Sequence, residues 1–153
     1  MLRIVGNILW HVPFMGFLSA LGAFLLGLLL TLLVVTSPIG LGLIQYSRFL
    51  LLPFTYSMVS VSDLGVSENP LWKAYSTIVM VLYLPIGLIM CIIQLFQIAG
   101  LCLSIVGIPT ALVLLKSLTT YLNPVGKKCV PVAVAYDVEA RKNKATVDAY
   151  FDR

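Results

Sequence analysis

The stretch VTSPIGLGLIQYSRFLLLPF, from Val35 to Phe54, carries two prolines fifteen positions apart, Pro38 and Pro53. Seventy-one residues later the chain reads VGIPTALVLLKSLTTYLNPV, with Pro109 and Pro124 again fifteen apart. The same shift aligns further glycine, valine and leucine positions. This register predicts two tandem copies of one unit, at residues 2–56 and 73–127, with a turn-rich linker at 57–72 and a tail at 128–153.

The composition predicts an all-α integral membrane protein. Hydrophobic residues make up 60% of the chain and charged residues 10%, whereas a soluble domain carries about 25% charged residues. The runs Gly6–Ser47 and Ala74–Leu115 contain no Asp, Glu, Lys or Arg. About 20 apolar residues suffice for a membrane-spanning helix. The formal charge of +4 comes from residues that border the apolar runs, so it indicates membrane topology and not nucleic-acid binding.

Each copy is predicted to be a helical hairpin. The long arms Phe14–Thr36 and Pro85–Ile108 would cross the bilayer and end at the corner prolines Pro38 and Pro109, which then begin the next helix. The short arms, Ile39–Leu52 and Thr110–Asn123, would be about 21 Å long as helices, so they re-enter the bilayer or lie at its interface. Charges lie away from the corners, which places the N-terminus, linker and tail together on the cytoplasmic face. A single crossing by each unit is the alternative.

Small residues mark the helix-packing positions. Ser19, Ala23 and Gly27 form one stripe at a spacing of four, and Gly87 with Cys91 and Gly100 with Ser104 repeat the pattern. Such stripes let membrane helices approach closely. The stripe could face the sister arm or another subunit.

Four polar residues lie inside the apolar segments and are candidates for lining a pathway: Arg48, Lys116, Gln94 and Gln97. The two cations could instead reach the headgroups from the short arms, and the two amides could form interhelical hydrogen bonds. His11 has no carboxylate partner for nucleophilic catalysis, and the cysteines have no metal-ligand spacing. We therefore expect no catalytic residue, metal, cofactor or enzymatic activity.

The tail has a different pattern from the rest of the chain. Alternating valines from Val130 to Val138 predict a strand, and the charged segment that follows predicts a short surface helix. A lone strand needs a neighbour. We expect it to add to the edge of another subunit or, alternatively, to be solvated.

Several motifs resemble the YccF family of small bacterial inner-membrane proteins. The sequence GNILW (Gly6–Trp10) opens the first copy, and IVGIP (Ile105–Pro109), Lys116 and PVGKK (Pro124–Lys128) close the second. The resemblance covers roughly residues 2–130 and implies a tandem inner-membrane component domain, without an established activity. Thr36-Ser37-Pro38 replaces the family's usual Gly-Ile-Pro, which predicts a looser first corner.

Two functions fit these features. The chain could be a homo-oligomeric pore or transport component in the inner membrane. It could alternatively be a structural or accessory subunit of a larger membrane complex, packing through the Ser19–Ala23–Gly27 stripe and docking through its tail. The expected partners are the lipid bilayer, copies of the chain or another membrane protein, and no nucleic acid.

Overall fold

Helices dominate the computed structural model, which describes residues 2–12, 15–67, 69–103 and 105–151, except for the side chains of residues 2 and 106. Six α-helices and one two-stranded sheet are present in these ranges. The helices are α1 (Leu2–His11), α2 (Gly16–Leu32), α3 (Ser37–Leu51), α4 (Pro70–Cys102), α5 (Ile108–Leu122) and α6 (Val132–Phe151), and the strands are β1 (Tyr56–Ser60) and β2 (Lys127–Pro131). The predicted helical class is confirmed at this level.

The corner prolines begin helices, as predicted. Helix α2 ends at Leu32 and α3 starts at Ser37, with Pro38 in its first turn. Helix α4 ends at Cys102, and α5 starts at Ile108 with Pro109 in its first turn. Proline tolerates this position because its missing N–H would have no partner there. Helix α2 packs along α3, and α4 packs along α5.

The second long helix starts fifteen residues earlier than predicted. Helix α4 has 33 residues and begins at Pro70, where the side chain of Asn69 accepts a hydrogen bond from the backbone N–H of Leu71. Pro85, predicted as the start of the arm, lies inside the helix. An internal proline removes only one helical hydrogen bond, and the continuous apolar sequence on both sides keeps the segment helical. The linker therefore ends before Pro70.

The first long helix is shorter than predicted and is not a counterpart of α4. Helices α1 and α2 would together be long and apolar enough to cross a membrane, but they are bent by 77° at a break that includes residues 13 and 14, which lie outside the described ranges. At Gly16 a β-carbon would collide with the Trp10 indole, so α1 folds back onto the start of α2.

The sheet corrects the predictions for both the linker and the tail. Strand β1, within the supposed linker, pairs antiparallel with β2, from Tyr56 opposite Pro131 to Ser60 opposite Lys127. The predicted strand therefore starts earlier and ends at Pro131, and its partner lies in the same chain instead of another subunit. Beyond Pro131 no strand lies opposite within the described residues, and the segment with five alanines forms helix α6.

The core is small and the outer surface is apolar. Buried residues gather where α1, α2, α3 and α5 meet: Trp10, Ala20, Tyr46, Phe49, Leu50, Val113 and Leu114. Most large apolar side chains of α2 and α4 are exposed. Among the described helices, α4 alone is by itself long and apolar enough to span a bilayer, with a mean hydropathy of 2.5 over its most apolar window.

Candidate functional site

A cleft of about 400 Å³ separates the α2–α3 pair from the α4–α5 pair. Helices α1 to α5 all contribute to its walls. The lining residues are Trp10, Ser19, Gly22, Ala23, Leu26, Leu43, Tyr46, Leu50, Gln94, Gln97, Leu101, Thr110, Leu114 and Tyr121. Its walls are mostly apolar, with a few polar side chains, which is the usual character of a ligand-binding cleft.

Pairs of cleft residues lie 71 positions apart in the sequence. The pairs are Ala23 with Gln94, Leu26 with Gln97, Leu43 with Leu114, and Leu50 with Tyr121. The 71-residue shift that aligns the proline corners therefore also pairs residues of one cleft wall with residues of the other wall. Both glutamines come from the second wall, whereas the equivalent positions of the first wall are apolar. The glutamines therefore have no polar counterparts at the equivalent positions, whereas Ser19 and Tyr46 add hydroxyl groups to the first wall.

Gln94 is held in place by a hydrogen bond, whereas Gln97 is exposed. Gln94 is 5% exposed, and its amide nitrogen donates to the Ser117 hydroxyl over 3.3 Å. The Ser117 hydroxyl in turn donates to the Leu114 carbonyl over 2.7 Å. This interhelical link ties α4 to α5, as expected for an amide in an apolar interior. Gln97, one turn further along α4, is exposed at the cleft.

Two hydroxyl groups at the cleft lack a hydrogen bond. Within the described residues, neither the buried Tyr46 hydroxyl nor the buried Thr110 hydroxyl has a partner. The Ser117 and Tyr121 side chains are near enough to the Tyr46 hydroxyl to interact with it as hydrogen-bonding groups, although the full geometry of a hydrogen bond is not met. Buried polar groups are nearly always satisfied, by protein, water or ligand. Within the described residues the Tyr46 and Thr110 hydroxyls are exceptions to this rule, and their oxygens are almost fully shielded from solvent.

Aromatic side chains at the cleft were missed by the sequence analysis. The Tyr46 and Tyr121 rings meet edge to face at 5.3 Å and join α3 to α5. The Trp10 indole is buried and donates to the Leu50 carbonyl over 2.8 Å, and His11 contacts the Leu51 carbonyl. The 71-residue shift could have found Tyr121, because it is the counterpart of the cleft residue Leu50. The GNILW motif includes Trp10, but nothing in that motif indicates that its side chain lines a cleft.

Arg48 and Lys116 lie outside the cleft. Both side chains are exposed. Each is two positions from a cleft residue of its own helix, about 200° around the helix axis, so each projects from the opposite face. Arg48 is close to β2, where its charge partly offsets the burial that raises the pKa of Cys129 to about 11. The structure thus separates the cations from the two glutamines.

The predicted packing residues behave differently from one another. At Gly27 a β-carbon would approach the Gly40 carbonyl of α3 to 2.9 Å, so this glycine allows close packing within the chain. Ser19 and Ala23 instead line the cleft. Gly87 packs against the end of α5, with a hypothetical β-carbon 2.8 Å from the Leu122 carbonyl, whereas Gly100 has open space around it. Ser104 lies outside the described residues.

The four prolines of the repeated segments lie at or near the protein interior. Pro38, Pro53 and Pro124 are buried, and Pro109 is half-buried. Pro53 and Pro124 follow the ends of α3 and α5 and precede the two paired strands. The second proline of each segment therefore marks the transition from helix to sheet.

Comparisons with known proteins agree with the motif resemblance. Residues 5–55 match the YccF family, described as an inner membrane component domain. The chain is 29% identical over 136 residues to "Inner membrane protein YccF" of Escherichia coli (strain K12), covering 88% of this chain and 91% of that protein. The same figures hold for "Inner membrane protein YccF" of Shigella flexneri. No solved structure is significantly similar. The predicted resemblance to the YccF family of inner membrane proteins is thus confirmed, by the family's domain over the first helical pair and by these relatives over most of the chain.

Proposed function

We propose that the chain is a multi-pass inner-membrane protein made of two tandem helical hairpins, and that it forms a homo-oligomeric pore or transport component whose pathway is the cleft. The observation that carries this proposal is the set of cleft residues paired across the 71-residue shift. In many transporters, substrate sites lie at the interface between internal repeats.

The element boundaries support the tandem organisation. Helices α3 and α5 begin and end 71 residues apart, and so do strands β1 and β2. The 71-residue shift aligns both the first and the last residues of these helices and strands. This agreement argues for duplication of the whole unit. The long arms depart from this symmetry, because α1 and α2 are separate whereas α4 is continuous.

The surface supports insertion in a bilayer. Helix α4 would be about 50 Å long, more than the ~30 Å hydrocarbon core, and its side chains are mostly exposed and apolar. An apolar surface this large on a soluble monomer would drive association. We propose that lipid, together with other copies of the chain, covers this apolar surface. The N-terminus, the linker and the tail would face the cytoplasm, where the basic residues are favoured.

The polar groups of the cleft support a pathway. Gln97 is exposed there, and the buried Thr110 hydroxyl has no partner within the described residues. Such groups are costly against hydrocarbon but useful along a route for water or a polar solute. Arg48 and Lys116 would reach the pathway only at a contact between subunits. In a monomer they would extend to the headgroups.

Flux through proteoliposomes tests the proposal. We expect a discrete homo-oligomer by light scattering in detergent, and solute or ion flux after reconstitution. Gln97→Trp should reduce flux severalfold by filling the cleft, whereas Gly100→Ala, on the same helix but with open space around it, should not. The proposal fails if a well-folded oligomer conducts nothing, or if Gln97→Trp conducts like the parent protein.

An accessory role is the second candidate, supported by α6. This helix is exposed along nearly all of its length and carries the apolar residues Val147, Tyr150 and Phe151 at its end. It is held to the protein by the sheet and by a hydrogen bond from the Val132 N–H to the Thr55 carbonyl. A monomer in detergent, without flux, that captures a membrane partner only when residues 139–151 are present would favour this role.

A further inference from the structure

A second cavity, which we call the basic cavity, lies where the start of α4 meets α3 and the segment between α5 and β2. It has a volume of about 500 Å³. Three lysines line it: Lys73 from α4, and Lys127 and Lys128 from β2. None of the described residues that line it is acidic. The cavity is therefore positively charged, in contrast to the cleft between the helical pairs.

Hydrogen-bond donors add to this charge. Ser76 lines the basic cavity, is only 8% exposed, and its hydroxyl has no partner within the described residues. The Gln45 and Asn123 side chains also line it. Each uses its amide oxygen to accept a backbone N–H, from Cys129 over 3.2 Å and from Val125 over 3.1 Å. Their NH2 groups are left as donors.

Asp63 is an acid whose charge acts on Lys127, but it does not line the basic cavity and it forms an ion pair with another lysine. The Asp63 carboxylate accepts a hydrogen bond and ion pair from the Lys142 ammonium over 2.9 Å. Lys127 is half-buried, and its burial lowers its pKa, an effect that Asp63 opposes and Lys142 strengthens. A cation in such surroundings is stabilised by an anion that replaces the lost water.

We propose that the basic cavity binds a phosphate group. Lysines with hydroxyl and amide donors, and without a lining carboxylate, match the acceptor-only oxygens of a phosphate. The apolar residues Leu41, Trp72 and Met80 line the same cavity and could contact the hydrophobic part of a larger ligand. The phosphate would come from a phospholipid headgroup or from a soluble phosphate. The lipid source rests on the membrane location proposed above, whereas phosphate binding does not depend on a pore.

Binding to the purified full-length chain distinguishes the two sources. Thermal unfolding and native mass spectrometry would be measured in detergent with phosphatidylglycerol, with phosphatidylcholine, or with inorganic phosphate against chloride at equal ionic strength. We expect phosphatidylglycerol to bind and to raise the unfolding midpoint. Lys127→Gln should weaken its affinity about tenfold, as expected for one lost charge-assisted hydrogen bond. Lys144→Gln, an equal charge change on exposed α6, should leave it unchanged.

Ser76→Ala separates binding from folding. The Ser76 hydroxyl is buried without a partner within the described residues, so the unliganded unfolding midpoint should be unchanged or higher, while phosphate-dependent stabilisation falls severalfold. Stabilisation by inorganic phosphate alone, with the same dependence on Lys127 and Ser76, would support the proposal and assign a soluble source. The proposal is overturned if none of the probes binds, or if Lys127→Gln and Ser76→Ala both bind as the parent does. The flux test concerns Gln97, so the two proposals can fail separately.

Discussion

The Tyr75 hydroxyl donates a hydrogen bond to the Val35 carbonyl over 2.7 Å, and the neighbouring Val34 carbonyl lies 3.1 Å away. Tyr75 is in the second turn of α4, so the first corner packs beside the start of that helix. The location of the charged residues predicted that each corner lies at the end of its hairpin away from the linker, and for the first corner this contact contradicts that prediction. The Val34 carbonyl also accepts the backbone N–H of Ser37 over 3.1 Å, so the Tyr75 hydroxyl adds a link from α4 to a corner that is partly hydrogen-bonded within itself.

Tyr75→Phe should destabilise the protein by about 0.5–1.5 kcal/mol, the net contribution of one hydrogen bond. The ring is retained, so the loss reports on the hydroxyl alone. Reversible unfolding in mixed micelles measures it. Tyr136→Phe, on the exposed part of α6, is the matched control and should have no effect.

Val34→Gly should be neutral or stabilising, although it removes a side chain. Val34 has a φ angle of 52°, in the left-handed region where a β-branched residue is strained by about 1–3 kcal/mol. Glycine removes that strain at an entropic cost of about 0.5–1 kcal/mol. Val35→Gly, at an equally exposed neighbour without a positive φ, should lower the unfolding midpoint. If both variants were destabilised equally, the strain argument would be wrong.

Gly42→Ala should be among the most damaging single-methyl additions in the chain. A β-carbon at Gly42 would collide with the Pro124 carbonyl, a backbone atom that cannot rotate away. We expect a loss of more than about 1–3 kcal/mol, or poor folding, because this contact joins α3 to the segment after α5. Gly100→Ala meets open space and should fold normally. Expression and monodispersity of the pair in detergent provide the measurement.

The link between Gln94 and Ser117 should appear as a coupling energy. Gln94→Leu leaves the Ser117 hydroxyl with its bond to Leu114, and Ser117→Ala leaves a buried amide without its partner, so the second change should cost more. We expect a coupling of about 0.6 kcal/mol, the average for hydrogen bonds between membrane helices. A double-mutant cycle measures it, and strict additivity of the two losses would contradict the link.

Cys129 should react slowly with alkylating agents near neutral pH. Burial raises its pKa to about 11, and only the thiolate is nucleophilic. In a Cys91→Ala/Cys102→Ala background, the alkylation rate should rise about tenfold per pH unit from pH 7 and level off only near pH 11. Arg48→Met removes a charge that lowers this pKa, so it should slow alkylation further at each pH. A plateau near pH 8.5 would show an ordinary, solvated thiol.

The repeat register predicted more of the local structure than the hydrophobic pattern did. Pro38 and Pro109 begin helices as predicted, since proline fixes its own backbone angle and lacks the N–H that an interior position requires. The same reasoning was wrong for Pro85, because a single proline within a long apolar run bends or weakens a helix without ending it.

The candidate sites depended on contacts that no sequence pattern specifies. Gln94 and Gln97 were found as polar residues in an apolar run, and they do line the cleft. Arg48 and Lys116 were selected by the same criterion and lie on the far faces of their helices, since periodicity does not say which face meets a neighbour. The basic cavity was not predicted, because it joins lysines more than fifty residues apart.

The sequence by itself determined the helical class, the corner prolines and the 71-residue register, since these follow from local backbone preferences and from the lack of polar residues. The tertiary structure decided which segments became partners. The valine pattern after Val130 permitted a strand, but β2 ends at Pro131 because β1 begins opposite it, at Tyr56. A strand lasts only as long as its hydrogen-bonding neighbour, and the paired residues of that neighbour lie 67 to 75 positions away in the sequence.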